Sequence, residues 1–323
     1  MEKDIKSKFV ELFGNKGEIK EYFAPGRINL IGDHTDYNGG HVLPCALTIG
    51  TYAVVRKRND SKLRLYSINY DKLGVIESSI DELKYNADEK WINYPKSIIW
   101  AIKDEGYAID KGLDIVYYGT IPNEAGLSSS ASIEILTGFI LKDMFNIDLD
   151  MTQLAFLGQK AENMYIGVNC GIMDQFVIAN GKKGCALYLN TANLQYEYKP
   201  VILNEKKIVI MNTNKKRSLE DSKYNERRSE CEIALKELQT KLNIKSLGEL
   251  TEKEFEQNKY LINDTIRRKR AQHAVYENQR TIKAAEALEK GNLNLFGKLM
   301  IESHNSLRNN YEVTRRRIRY TCL

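Results

Sequence analysis

The texture of this chain changes partway along its length, and that change limits the architectures open to it. Up to about residue 190, β-branched and aromatic runs alternate with helical ones; from Ser218 to His304 the sequence is mainly charged amphipathic helix. Ile5, Phe9, Val10 and Phe13 fall at helical spacing and predict a helix over 3–13, ended by Gly14. Extended patterns follow at 21–30, 47–58, 62–70 and 73–80, with turn residues between them. Further helices are expected over 91–104, from the serine run at 128–130 through 145, over 151–166 and over 171–180. Strands are expected at 112–122, 185–190 and 206–213. This pattern predicts an α+β protein of two domains, 1–190 and a helix-rich 191–323.

The 323 residues are ample for two buried cores, and 42% apolar with 28% charged residues belongs to a globular chain. No apolar stretch is long enough to span a bilayer, and the opening MEKDIKSKFVELFG lacks the core of a signal peptide. Neither a membrane partner nor secretion is expected. The cysteines (Cys45, Cys170, Cys185, Cys231, Cys322) are scattered without a CxxC pair, which argues against a disulfide framework or zinc site and for a reducing cytoplasm. The net charge is +5, but residues 315–323 carry four arginines and no acid. The rest of the chain is close to neutral, so no nucleic-acid partner is expected.

Three segments carry chemistry. The first, Gly26-Arg-Ile-Asn-Leu-Ile-Gly-Asp-His-Thr-Asp-Tyr-Asn-Gly-Gly40, follows a strand pattern and packs Arg27, Asp33, His34, Thr35 and Asp36 between glycines. Short carboxylates, a hydroxyl and an imidazole on one loop offer many directional partners to a polyhydroxylated ligand. A polar turn explains Asn38-Gly-Gly but not the arginine and the DHTD cluster. The second, Pro122-Asn-Glu-Ala-Gly-Leu-Ser-Ser-Ser-Ala-Ser132, lies between a strand and a helix. Unpaired amides at a helix start favour an anion, and Gly126 permits close backbone approach. Taken alone it is more simply an ordinary serine N-cap. The third pairs Glu162 with Cys170-Gly-Ile-Met-Asp-Gln-Phe176, where one carboxylate could hold Mg²⁺ and the other meet a hydroxyl. By itself it reads as a solvated Glu162 and a first-turn Asp174.

Together these segments resemble the GHMP kinase superfamily, and within it the galactokinase family: GRINLIGDHTDYNGG resembles its sugar signature and PNEAGLSSSAS its phosphate-binding motif. The similarity continues through CGIMDQF, residues 222–228, ENQRT at 277–281 and SHNSLRNNYEVT at 303–314. Asp33 stands where most of the family has Glu. The resemblance implies the two-domain GHMP kinase fold, with a first domain like ribosomal protein S5 domain 2 and a ferredoxin-like, helix-rich second one. It implies transfer of the γ-phosphate of ATP to the anomeric hydroxyl of galactose. ATP would then lie against Glu124, Ala125, Gly126, Leu127, Ser128, Ser129 and Ser130, near Ser67, with Mg²⁺ on Ser130 and Glu162. Galactose would be held by Asp33, His34, Thr35, Asp36, Gly171 and Tyr224. Asp174 would face the anomeric hydroxyl, and Arg27 would stabilise the transferring phosphoryl group. Trp91 and Tyr94 match positions near the nucleotide, and read equally as packing aromatics of an amphipathic helix. The implied partners are galactose and ATP, the protein acting as a monomer.

After Thr314 the family continues into further helix, strand and glycine-rich segments, whereas this chain reads Arg-Arg-Arg-Ile-Arg-Tyr-Thr-Cys-Leu. The second domain is therefore expected to be incomplete, with strands lacking neighbours, exposed apolar faces, and poor stability or weak activity. Alternatives to a galactose kinase are an inactive fragment, a ligand-sensing relative without catalysis, and a kinase for N-acetylgalactosamine or another related sugar.

Overall fold

A computed structural model describes residues 2–122, 125–212 and 220–314. Its strands are Lys20–Asn29 (β1), His41–Val42 (β2), Pro44–Lys57 (β3), Lys62–Ser67 (β4), Ile76–Ser79 (β5), Leu113–Gly119 (β6), Cys185–Asn190 (β7) and Tyr196–Pro200 (β8). Its α-helices are Glu2–Phe13 (α1), Asn93–Asp104 (α2), Ser129–Phe145 (α3), Met151–Lys160 (α4), Met173–Asn180 (α5), Glu220–Leu238 (α6), Glu252–Asn258 (α7), Thr265–Glu289 (α8) and Leu293–Ser306 (α9). The class is the α+β one expected.

The chain forms two compact units. The first holds the residues up to Arg27, 46–170 and 174–180; the second holds 28–45, 171–173 and the described residues from 181 onward. The sequence suggests one cut near residue 190, but the chain leaves the first unit at 28–45 and again at 171–173. Texture reports the kind of element, whereas membership of a unit depends on which distant neighbours a segment packs against.

In the first unit β1-β3-β6-β4-β5 form one sheet. β6 is central, antiparallel to β3 (Val54 opposite Val116) and parallel to β4 (Leu65 opposite Ile115), and residues 113–117 are all buried. Burial on both faces accounts for its nearly unbroken apolar run. The exception, Asp114, takes bonds from Arg64 (2.7 Å), Arg56 (2.6 Å) and Arg58 (2.7 Å). Burial alone would raise its carboxyl, but the three guanidiniums hold it below its ordinary range. Ile5 and Phe9 of α1 pack against Val54, Tyr66 and Val116. The helix expected over 151–166 is two elements: α4, started by an Asp150/Gln153 capping box, and a π-helical turn, Ala161–Ile166, that carries Glu162.

In the second unit β2-β7-β8 form an antiparallel sheet. Its core joins Leu30, Ile31, Leu43 and Ala186 to Ala284, Ala285 and Leu288 of α8 and to Phe296 and Leu299 of α9. A second cluster gathers Cys231, Leu238, Phe255, Ala271, Val275 and Tyr311. The strand expected at 206–213 is absent over 206–212, where Val209 is 74% exposed. β7 pairs instead with β8, whose sequence YEYKP gives no apolar signal. A β-branched run supplies strand propensity, but a ladder also needs a neighbour, and none pairs with 206–212 among the described residues. Residue 213 and the basic stretch 315–323 lie outside the described residues. No helix among them is long and apolar enough to cross a membrane.

Candidate active site

In the first unit the turn before α3 is tied to β1. Arg27 donates its backbone N–H to the Leu127 carbonyl (3.2 Å), and a Cβ on Gly26 would lie 3.0 Å from that same oxygen. Gly126 and Ser128 both have positive φ, +75° and +57°, so the chain enters the helix through a left-handed bend. For a serine this conformation is costly and recurs at functional sites. Ser128 does not cap α3; its Oγ donates to Asp174 Oδ2. Arg27 forks the same carboxylate, Nε to Oδ1 at 2.7 Å and Nη2 to Oδ2 at 2.6 Å, while Nη1 donates to the Gly126 carbonyl at 2.6 Å. The two residues given catalytic roles from the sequence thus form one bidentate ion pair. It is only partly exposed, 14% for the Arg27 side chain and 30% for Asp174.

The Ser128 hydroxyl serves Asp174, and the Leu127 side chain is buried. Ser129 is exposed, Ala125 and Gly126 are half-buried, and Glu124 lies outside the described residues. Ser67 is buried at the end of β4. The Trp91 ring lies parallel to Tyr70, with centroids 6.5 Å apart, and edge-on to Tyr117 at 5.8 Å. Its indole Nε1 is buried without a hydrogen-bond partner, which plain packing does not explain. Tyr94 is half-buried on α2.

Ser130 and Glu162 also come together, the serine hydroxyl hydrogen-bonding the buried carboxylate. Burial raises the Glu162 carboxyl despite the bonds from Ser130, Cys170 and Gln175. An oxygen-only pair with a carboxylate kept from water fits Mg²⁺, which takes one or two protein oxygens and fills its other positions with water and phosphate. Close by is Glu134 of α3, fully buried and missed in the sequence. Burial, with Glu162 beside it, pushes its carboxyl well above the usual carboxylate range. The available signal was an acid four residues after Ser130 inside an apolar helix.

In the second unit the DHTD loop is built from within. His34 has φ +64°, a three-residue turn covers Asp36–Asn38, and Gly39 returns at φ +67°. Thr35 departs from its expected role: it is fully buried, and its hydroxyl lies 2.8 Å from the Gly32 carbonyl and 2.7 Å from that of His41. It ties the loop together and has no surface to give a ligand. Asp33 accepts from Asn29 Nδ2 (2.8 Å). Asp36 lies so close to Gly171 that a Cβ there would fall 1.8 Å from Asp36 Oδ2. Tyr224 of α6 packs its ring against His34 (5.5 Å) and Tyr37 (5.4 Å).

A chain of polar groups fixes His34. Its Nδ1 is 2.8 Å from Tyr37 Oη, which is 2.7 Å from Tyr311 Oη, which is 3.3 Å from Cys231 Sγ. With Tyr37 donating to Nδ1, the ring proton sits on Nε2. Burial lowers His34 to about 3, so it is neutral near pH 7. His273 is also neutral, lowered by burial to about 4; its Nε2–H donates to the Asp33 carbonyl (3.0 Å) and its Nδ1 accepts from Ser306 (2.9 Å).

These histidines predict a pH dependence. Between their unfolded value of 6.5 and the folded values, the unfolded chain binds protons that the native state refuses, so stability falls as pH drops through that window. Fully buried His273 alone contributes on the order of 3 kcal/mol. Melting curves from pH 7 to pH 4.5 should show a falling Tm, with a shallower slope in His273→Gln. Equal slopes would contradict the assignment.

The downstream motifs now have a physical reason. Glu277 Oε1 accepts from the Gly32 N–H (3.0 Å) and from Ser303 Oγ (2.5 Å), and Oε2 accepts from Arg280 Nε (2.9 Å). Asn278 accepts from the His41 N–H (2.8 Å) and donates to the Gly248 carbonyl (2.8 Å). ENQRT and SHNSLRNNYEVT therefore hold the loop in shape from α8 and α9.

Known proteins resemble this chain along most of its length. The galactokinase galactose-binding signature matches residues 7–57, and the GHMP kinases N terminal domain matches residues 93–182. Galactokinase of Ligilactobacillus salivarius is 56% identical over 312 residues, covering 97% of this chain and 80% of that protein. Galactokinase of Clostridium acetobutylicum is 57% identical over 310 residues, covering 96% and 79%. The crystal structure of Lactococcus lactis galactokinase complexed with galactose has a TM-score of 0.95 at 52% identity, over 97% of this chain and 81% of that one. A mevalonate kinase of Methanococcus jannaschii, 17% identical with a TM-score of 0.61, shares the fold alone. Fold and serine-glycine loop define the class, a GHMP kinase. Within it, the chain belongs to the galactokinase family.

Proposed function

We propose that this protein transfers the γ-phosphate of ATP to the anomeric hydroxyl of galactose, giving α-D-galactose 1-phosphate and ADP. The observation that carries the mechanism is the Arg27–Asp174 pair tied into the loop that starts α3. Arg27 and Ser128 fix the carboxylate in one orientation, so Asp174 can accept the hydroxyl proton as the sugar oxygen bonds to phosphorus and ADP leaves. Arg27 adds positive charge, and the amides at the α3 start favour phosphate oxygens. Ser130 and Glu162 would hold Mg²⁺, which when bound neutralises phosphate charge. Ser67 and the buried Trp91 N–H are the polar groups offered to the rest of the nucleotide.

Galactose recognition is assigned to Asp33 and Asp36 as hydroxyl acceptors, His34 Nε2–H as donor, and Tyr224 as a flanking ring. Thr35 keeps the loop in register, and Gly171 leaves room for Asp36. Gly171→Ala should therefore displace the Asp36 carboxylate and weaken galactose binding by about 10- to 100-fold, the worth of one charged hydrogen bond. Mg²⁺-ADP binding should stay unchanged; galactose affinity equal to that of the parent protein would sink the Asp36 assignment. Sugar choice is tested by ADP release with galactose, glucose and N-acetylgalactosamine. Turnover with N-acetylgalactosamine exceeding that with galactose would replace the substrate.

A further inference from the structure

We infer that Tyr37 is a positioning residue for sugar recognition: its hydroxyl, braced by that of Tyr311, holds the His34 ring with Nδ1 toward the protein and Nε2 left for galactose. The inference rests on the reading of His34 as a galactose ligand.

A neutral imidazole can carry its proton on either nitrogen, and a half-turn about its outer torsion exchanges their places. A histidine that must give one N–H to a ligand therefore needs its other nitrogen tied down. Tyr37 supplies the tie. Its Oη is 2.8 Å from His34 Nδ1, and among the described residues no hydrogen bond is made to Nε2. A bare imidazole nitrogen accepts better than a phenol oxygen, so Tyr37 gives its proton to Nδ1 and keeps its own oxygen for another donor. Tyr311 Oη, 2.7 Å away, is that donor. Tyr311 is fully buried, with its ring centroid 4.6 Å from that of His34, so the brace has no room to swing away. Tyr37 is confined by its ring as well as by its hydroxyl. The ring is edge-on to Tyr224 at 5.4 Å, and the Arg228 guanidinium stands over it at 5.8 Å. These ring contacts survive when only the hydroxyl is removed. All five residues belong to the second unit.

Tyr37→Phe thus deletes the tie and keeps the packing. Calorimetric titration with galactose, beside steady-state kinetics, tests it on the full chain. The variant should bind galactose about five- to tenfold more weakly, the worth of one neutral hydrogen bond. Its galactose KM should rise by a similar factor while kcat stays close to that of the parent protein, the pattern of lost ground-state binding. Mg²⁺-ADP binding should be unchanged. The effect must also run through the imidazole: His34→Ala should weaken galactose binding, and adding Tyr37→Phe to it should cost nothing more. Equal losses from Tyr37→Phe in both backgrounds would overturn the inference, as would parent-like galactose binding in Tyr37→Phe beside a weakened His34→Ala. Parent-like binding in His34→Ala would instead remove the reading of His34 on which it rests. If Tyr37→Phe fails to fold, nitrogen-15 NMR of the histidine-labelled parent protein carries the test. The His34 signals, identified by their loss in His34→Ala, should show a proton on Nε2 and none on Nδ1 near pH 7; a protonated Nδ1 would overturn the inference.

Discussion

Asp174→Asn should lower kcat by about 10³-fold, within the range for loss of a positioned general base, while Mg²⁺-ADP binding changes little. The asparagine keeps the volume and one acceptor oxygen, but it turns an N–H₂ toward a guanidinium that donates through both Nε and Nη2. It cannot take a proton from the sugar, and it leaves one Arg27 donor without an acceptor. A modest loss of stability is expected, on the order of 1–3 kcal/mol. The diagnostic readout is the split between catalysis and binding: a kcat near that of the parent protein would mean that Asp174 only organises Arg27 and the loop.

Glu277→Ala should give the largest loss of stability. It would remove one carboxylate that serves the Gly32 amide, Ser303 and Arg280, and leave the largely buried Arg280 charge unpaired. Breaking a buried pair on one side costs about 3–5 kcal/mol. That is a large part of the roughly 5–15 kcal/mol that holds a domain together. Because Gly32 opens the DHTD loop, galactose affinity should fall together with stability. Glu277→Gln keeps the size and one acceptor, so it should lie between the parent protein and the alanine variant in denaturant unfolding. Identical unfolding midpoints for Glu277→Ala and the parent protein would show that the network carries no stability.

What could be read in the sequence followed from how local each feature is. The DHTD loop and the serine-glycine turn were legible because their reactive residues lie within a few positions of the glycines that bend the chain. The helices around them follow from apolar spacing. Asp174 and Glu162 gained roles only through the family resemblance, since an acid in the first turn of a helix has an ordinary electrostatic reason to be there. Thr35 was misjudged because composition cannot tell a hydroxyl that faces a ligand from one turned inward to two carbonyls. Glu277 was hidden by distance, as its Gly32 partner is 245 positions away. Glu134 was hidden inside a helical pattern that accounts for it without any function. At 206–212 propensity was read correctly and pairing was not, because a ladder depends on a second strand that the local sequence does not name.

The most direct test of the central claim is ADP release from the purified full chain with Mg²⁺-ATP, with and without galactose, beside the Asp174→Asn variant. The account predicts ADP formation that requires galactose, yields galactose 1-phosphate, and disappears in the variant. ADP formation indifferent to galactose, or no turnover from a chain that melts cooperatively and binds both ligands, would contradict it.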